Sequence, residues 1–144
     1  MKRTMATPMQ KSISLIVHAA GLANEFEEAR RTGQPFHLSI TNPPYMRLVI
    51  EVVGAGEVSV AHYYQQNGDA MRDPEIVFGA NWLPIEITQD PMGVYRRARP
   101  GFYLSGVTGL ARMWAGNLRA QHFTRGTFES HTHTIQAAPL KLAA

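Results

Sequence analysis

Residues 45–65, YMRLVIEVVGAGEVSVAHYYQ, contain two runs of β-branched and aromatic residues on either side of a Gly-Ala-Gly connection. Such residues favour strands, and a short glycine-containing link between two such runs predicts a β-hairpin. The predicted strands cover residues 45–53 and 57–65. Because side chains alternate between the two faces of a strand, Val58 and His62 are expected to share one face. The hairpin predicts an antiparallel sheet in the middle of the chain.

The segments around this hairpin predict a helix on each side and more strands between them. Apolar residues recur at helical spacing over residues 12–32 and again within 103–121. A short strand is predicted at 36–40, and residues 75–88 are typical of one bent strand or two short strands. After the turn signal Asp-Pro-Met-Gly, residues 93–98 are expected to return as another strand.

This order of elements predicts an α+β fold. Because helices do not alternate with strands, we expect an antiparallel four- to five-stranded meander sheet with an N-terminal and a C-terminal helix packed on it. The length of 144 residues fits a single domain over residues 1–140. Residues 1–8 and 123–140 are expected to be flexible or to wrap the surface. Residues 141–144, KLAA, resemble a cloning scar.

The composition excludes several classes of site. The sequence has no cysteine, so disulfides, thiolate metal sites and cysteine nucleophiles are excluded. It also has no glycine-rich phosphate loop and no serine nucleophile motif, so no cofactor is expected. No stretch approaches the roughly 20 apolar residues that span a membrane. We therefore expect a cytoplasmic protein without a membrane partner. Its net charge of +3 permits an acidic partner without requiring one.

Residues 62–75, HYYQQNGDAMRDPE, form the densest polar cluster of the chain. Six of its side chains are candidates for binding a partner: His62, Tyr63, Asn67, Asp69, Asp73 and Glu75. The set His62, Asp69, Asp73 and Glu75 has nitrogen and carboxylate groups that suit Mg²⁺ or Mn²⁺, although its spacing matches no established ligand motif. A structural interpretation is also open, because Asn67-Gly68 favours a hairpin turn and Asp73-Pro74 starts a turn. On that interpretation residues 67–75 are a loop between strands.

Two further sets of residues are candidates for other sites. His131 and His133 have the spacing of zinc ligands in an extended tail, with His122 as a third, although a solvent-exposed pair is the simpler interpretation. Aromatic residues near arginines are typical of surfaces that stack single-stranded nucleic acid, but they also favour strands and packed cores. These aromatic residues are Tyr45, Tyr63, Tyr64, Trp82 and Tyr95. Trp114 is expected in the core, because it falls on the apolar stripe of the C-terminal helix.

Polar and aromatic residues form one sequence signature that is distributed over three segments of the chain: VAHYYQQNGDAMRDPEIVF, WLPIEITQDPMGVYRR and MWAGNLRAQ. The signature positions are His62, Tyr63, Asn67, Gly68, Asp69, Asp73, Pro74 and Glu75 in the first segment, and Trp114, Asn117, Leu118 and Arg119 in the third. Over about residues 45–121 this pattern resembles a family of small bacterial proteins known only as a domain of unknown function. The resemblance implies that the protein is encoded on plasmids, integrative elements or other mobile DNA. It implies no activity, cofactor or catalytic residue.

Three functions are consistent with the sequence. The first is a non-enzymatic binding module of mobile DNA that contacts a protein partner or a second copy of itself, and the lack of a recognisable catalytic set favours it. The second is a small metal-dependent hydrolase or nuclease that uses His62, Asp69, Asp73 and Glu75 to hold a metal. The third is an accessory protein that binds nucleic acid through its distributed arginines. We favour the first, and the arrangement of the four side chains in space bears on the second.

Overall fold

The structure, a computed structural model, describes residues 6–130, which contain three α-helices and seven strands. The helices are α1 (Pro8–Ala19), α2 (Ala23–Thr32) and α3 (Thr108–Ala120). The strands are β1 (Phe36–Thr41), β2 (Arg47–Gly54), β3 (Glu57–Gln66), β4 (Asp69–Phe78), β5 (Pro84–Gln89), β6 (Val94–Arg97) and β7 (Thr127–Ser130). Short 3-10 turns lie at Asp90–Met92, Ser105–Val107 and Phe123–Arg125.

All seven strands belong to one antiparallel sheet, in the order β6-β5-β4-β3-β2-β1-β7. The first six strands form a meander, so the predicted α+β class and antiparallel sheet are confirmed. The expected number of four to five strands is wrong. Residues 75–88 divide between the end of β4 and β5, and Trp82 between them has a φ of 62°. Residues 123–130, which we expected to be flexible or to wrap the surface, form a 3-10 turn and then strand β7, whose pairing with β1 is a long-range contact that local composition does not reveal.

The helical segment near the N-terminus is interrupted, whereas its apolar spacing predicts one helix over residues 12–32. Helix α1 is capped at its N-terminus by Thr7, whose side-chain oxygen accepts a hydrogen bond from the Gln10 backbone N–H at 3.2 Å. Gly21 then adopts a φ of 76°, a left-handed conformation that ends the helix at little steric cost to glycine. Ile16 before the break and Phe26 after it are both buried. The apolar residues therefore keep their helical spacing on both sides of Gly21, although the helix is interrupted there.

The described helices pack on one face of the sheet, which we call the helix face. Their buried side chains form one core with inward-facing strand residues such as Leu38, Ile50, Val60 and Ile76. No helix within residues 6–130 covers the opposite face, which we call the open face. One row of side chains there crosses five neighbouring strands: Ser39, Val49, Ala61, Glu75 and Thr88. In the part of the chain that the structure describes, no helix is long and apolar enough to cross a membrane.

Strands β3 and β4 form a tight hairpin around Asn67 and Gly68. These two residues have φ values of 53° and 86°, as in the type I′ turns that fit the twist of paired strands. The turn prediction is thus confirmed, but the expected loop over residues 67–75 is wrong, because β4 already begins at Asp69. Aspartate and proline disfavour strands, yet pairing with β3 in the register set by the turn outweighs their local preference.

A β-bulge lies within this hairpin. Ala61 pairs with Glu75 and Tyr63 pairs with Arg72, so Asp73 and Pro74 both lie opposite His62. A regular strand would put residues three positions apart on opposite faces, but the extra residue brings Arg72 and Glu75 together on the open face. Their side chains are joined by a hydrogen bond of 3.1 Å. The bulge therefore determines on which face of the sheet each polar residue of the hairpin lies.

Candidate functional site

A cleft on the helix face lies between the β3–β4 hairpin and α3. It encloses about 240 Å³. The hairpin and α3 provide most of its lining, and the rest comes from residues just before β2 and just after α3: Tyr45, Met46, His62, Asp73, Pro74, Leu110, Met113, Trp114, Asn117 and Gln121. Signature residues from two distant segments of the sequence therefore meet in one place.

His62 is held in a mostly apolar environment at the base of the hairpin. Only 7% of the residue is exposed, and its ring lies 5.4 Å from the ring of Trp114 and 5.5 Å from that of Phe123. Burial lowers the pKa of His62, although the Arg47 and Met46 carbonyls and Asp73 act in the opposite direction. The Nδ1 atom lies 3.4 Å from the Arg47 carbonyl oxygen, which can only accept. In the tautomer that donates from Nδ1 to this carbonyl, Nε2 of the neutral ring is a hydrogen-bond acceptor.

Asp73 contributes the acidic group of the cleft. Its carboxylate acts electrostatically on His62, which places the two side chains near each other. Within residues 6–130, Asp73 has no hydrogen bond and no ion pair with another side chain. The residues that line the cleft include no lysine and no arginine. The cleft is therefore negatively charged, in a chain whose net charge is +3.

The rim of the cleft exposes large apolar side chains. The exposed fraction is 43% for Tyr45, 38% for Met46 and 59% for Met113. Trp114, by contrast, is 5% exposed and belongs to the core, as predicted. The indole N–H of Trp114 is buried without a hydrogen-bond partner among the described residues. The cleft thus joins an apolar rim to a wall that contains aromatic rings and a carboxylate.

The open face of the same hairpin holds a network of paired charges, which we call the open-face network. Glu75 accepts hydrogen bonds from Ser59 Oγ at 2.6 Å and from Arg72 Nη1 at 3.1 Å. Arg72 also donates from its side chain to both carboxylate oxygens of Asp90, and its backbone N–H donates to Asp90 Oδ2 at 2.8 Å. These hydrogen bonds lower the pKa of Asp90 and raise that of Arg72. The network ties β3 and β4 to the turn after β5.

Two more groups on the open face respond to this environment. Burial raises the pKa of Glu51, and the nearby Glu75 carboxylate raises it further. Burial also raises the pKa of Tyr63, together with the charges of Glu75 and Glu51. Arg47 lies over the Tyr63 ring, with its guanidinium carbon 5.4 Å from the ring centroid. Tyr63 and Glu75 therefore lie on the open face, where their side chains contact other residues of the chain, and they do not line the cleft.

The four residues considered for metal binding do not come together. His62 and Asp73 lie at the cleft, Glu75 lies on the open face, and Asp69 is exposed beside the hairpin turn. Among residues 6–130 there is no group of three or more histidine, cysteine, aspartate or glutamate side chains that would hold a metal ion. Asn67 is at the exposed tip of the hairpin, and Arg119 is exposed outside the cleft lining.

The aromatic residues considered for nucleic-acid stacking are dispersed. Trp82 is buried, Tyr45 lies at the cleft, Tyr63 lies on the open face and Tyr95 is exposed on β6. They do not form one surface. The zinc hypothesis for His131 and His133 falls outside the described residues, and His122 is exposed with a φ of 60°.

Sequence reasoning missed several residues of both regions. At the cleft these are Tyr45, Met46, Leu110, Met113 and Gln121. In the open-face network they are Arg72, Asp90 and Ser59. Met113 carried no clear signal, since a single apolar residue on the polar side of a helix is common. Asp90 carried none, because its contact with Arg72 spans 18 positions of sequence.

Comparison with known proteins places the chain in a family. A family model with the description "Domain of unknown function (DUF6908)" matches residues 11–124. Since this match covers most of the sequence, the chain belongs to that family. No curated protein and no solved structure matches the chain.

Proposed function

We propose that this member of the DUF6908 family is a non-enzymatic binding module that holds a segment of a partner protein in the cleft. The observation that carries the proposal is the meeting of His62, Asp73 and Pro74 with Trp114 and Asn117 in one cleft. The resemblance of the same positions to proteins of plasmids and integrative elements supports an origin on mobile DNA.

The chemistry of the cleft favours a protein segment over a cofactor. Small-molecule sites typically enclose roughly 300–1,000 Å³, whereas the cleft encloses about 240 Å³, enough for one or two side chains. Its exposed rim of Tyr45, Met46 and Met113 has residue types that are enriched at protein interfaces. Methionine also adapts its shape to different partners. These properties suit a surface that takes up a side chain of another protein.

The test is a selection of displayed random peptides on the immobilised protein. We expect peptides that bind the wild type and lose binding to Met113→Glu, because the new charge enters the apolar rim. Met92→Glu is the matched control, since Met92 is 65% exposed and lies outside the cleft lining. Recovery of no binding peptides, or of peptides that bind Met113→Glu as well as Met92→Glu, would refute the proposal.

A second copy of the chain is a special case of the partner. Sedimentation of the free protein over a range of concentrations separates this case from a different partner. If the partner is a second copy, we expect a dimer in the wild type and in Met92→Glu, and a monomer in Met113→Glu. A dimer that survives Met113→Glu would show self-association through another surface.

One observation favours a second candidate function, the binding of single-stranded nucleic acid. Phe102 and Tyr103 are 62% and 47% exposed, and the Arg99 guanidinium lies 5.1 Å from the Phe102 ring centroid. Exposed aromatic rings beside arginines can stack bases. The test is binding of labelled single-stranded DNA, with affinity that falls as salt rises and falls again in Phe102→Ala. Absence of binding at low salt would remove this candidate.

A further inference from the structure

We infer that the cleft is a pocket for the side chain of an arginine that the partner protein presents, which rests on the proposed function and specifies its ligand. Three features of the cleft carry this inference: an unpaired carboxylate, a set of hydrogen-bond acceptors without a competing cation, and ring surface at the rim.

The unpaired carboxylate is Asp73. The other carboxylates of the hairpin region are compensated, since Glu75 accepts from Ser59 and Arg72 and Asp90 accepts from Arg72. Asp73 has no such donor within residues 6–130, although it lies beside the apolar rings around His62. A carboxylate in partly apolar surroundings gains most from a charged donor, because the pair is less screened there than in bulk water.

The remaining polar groups of the cleft are also suited to a donor-rich ligand. With its proton on Nδ1, toward the Arg47 carbonyl, neutral His62 offers Nε2 as an acceptor. The side-chain amides of Asn117 and Gln121 add two carbonyl oxygens to the lining. No lysine or arginine of residues 6–130 lines the cleft, so no cation in that part of the chain competes for these acceptors. An anionic ligand would meet the charge of Asp73 without a compensating cation.

Ring surface distinguishes a guanidinium from an ammonium group. Tyr45 is 43% exposed at the rim, and the Met46 and Met113 side chains flank the same opening. A guanidinium is planar, stacks on aromatic rings and carries five N–H donors in a fixed fork, whereas an ammonium is a compact and strongly hydrated charge. The combination of rings with several separated acceptors therefore favours arginine over lysine.

The experiment is an NMR titration with capped single residues at constant ionic strength. The probes are N-acetyl-arginine methylamide, its lysine equivalent, the neutral citrulline equivalent and the acidic glutamate equivalent. The chain has two tryptophans, and each indole N–H gives its own resonance. Trp114 lines the cleft, whereas Trp82 lies against Phe26 and Phe78 and outside the cleft lining. Trp114 is thus the reporter and Trp82 the internal control.

We expect the arginine probe to shift the Trp114 indole resonance and to leave that of Trp82 unchanged. The lysine probe should bind several-fold more weakly, and the citrulline and glutamate probes should not bind. Asp73→Asn should weaken binding of the arginine probe by about tenfold, as expected for loss of a charged acceptor. Asp69→Asn is the matched control, because Asp69 is an exposed carboxylate on the same strand. Tyr45→Ala should weaken binding, and because the Tyr45 ring also lies 6.1 Å from the buried Phe123 ring, its stability is measured beside its affinity.

Three results would overturn the inference. These are no shift with the arginine probe, equal binding of citrulline and arginine, and equal binding of lysine and arginine. The outcome is separable from that of the peptide selection. Selected peptides that bind through the cleft but show no need for arginine would overturn the arginine pocket and leave the proposed function standing. An arginine probe that binds, together with a selection that yields no peptide whose binding depends on the cleft, would leave the arginine pocket standing and overturn the proposed function.

Discussion

The two faces of the β3–β4 hairpin use similar residues in opposite ways. On the open face, Glu75 is held by Ser59 and Arg72, and Arg72 is held by Asp90. On the helix face, Asp73 lies two positions earlier in the sequence and has no such donor among the described residues. A carboxylate that accepts hydrogen bonds from neighbouring side chains stabilises the surface. A carboxylate that lies beside aromatic rings without such a donor is available to a ligand. The difference arises from the bulge opposite His62, which sends neighbouring acids to different faces.

The largest expected effect on stability concerns the aromatic wall of the cleft. Trp114→Ala should lower the free energy of unfolding by about 3–5 kcal/mol, because it leaves a cavity in the core beside His62. Met113→Ala, on the exposed side of the same helix, should change it by less than about 0.5 kcal/mol. Urea denaturation measures both. Similar losses in the two variants would show that the cleft wall is not anchored in the core.

The next effect tests the open-face network. Glu75→Ala should cost about 1–3 kcal/mol of unfolding free energy, because Ser59 and Arg72 lose their acceptor in a partly buried site. Asp69→Ala, an exposed acid on the same strand without a paired cation, provides the comparison. Equal stability of Glu75→Ala and wild type would mean that the network contributes nothing measurable.

A smaller effect depends on pH and belongs to His62. Its folded-state pKa is lowered by burial, so the unfolded chain binds the proton more readily. Stability should therefore fall as pH drops below about 6.5, by up to about 1.4 kcal/mol per pH unit, until the folded-state pKa is reached. The difference between wild type and His62→Phe isolates this contribution, and exposed His18→Gln is the control. Parallel pH profiles for wild type and His62→Phe would contradict a lowered pKa.

Several of these features follow from the sequence, and the rest depend on contacts that it does not reveal. The hairpin over residues 45–65, the placement of His62 on the same face as Val58 and the turn at Asn67-Gly68 follow from alternation and turn chemistry. The strand at Asp69–Phe78 contradicts the local preferences of aspartate and proline, so pairing with β3 had to supply it. The bulge, the Arg72–Asp90 contact and the pairing of β7 are long-range features. For that reason the sequence grouped Asp73 with Glu75, although the sheet places them on opposite faces.

The smallest expected effect on stability is that of Asp73→Ala. Because the Asp73 side chain has no hydrogen bond or ion pair in the described part of the chain, the free energy of unfolding should change by less than about 0.5 kcal/mol. The measurement is again urea denaturation at neutral pH. A loss as large as that of Glu75→Ala would show that Asp73 is a structural residue, and would weaken its assignment to a ligand site.

The division of roles between the two carboxylates is tested most directly by measuring Asp73→Ala and Glu75→Ala side by side for unfolding free energy and for affinity toward N-acetyl-arginine methylamide. We expect Asp73→Ala to lose about tenfold or more in affinity at nearly wild-type stability. We expect Glu75→Ala to lose stability while the folded protein keeps its affinity. Loss of both properties in the same variant, or affinity that depends on Glu75 and not on Asp73, would contradict this division.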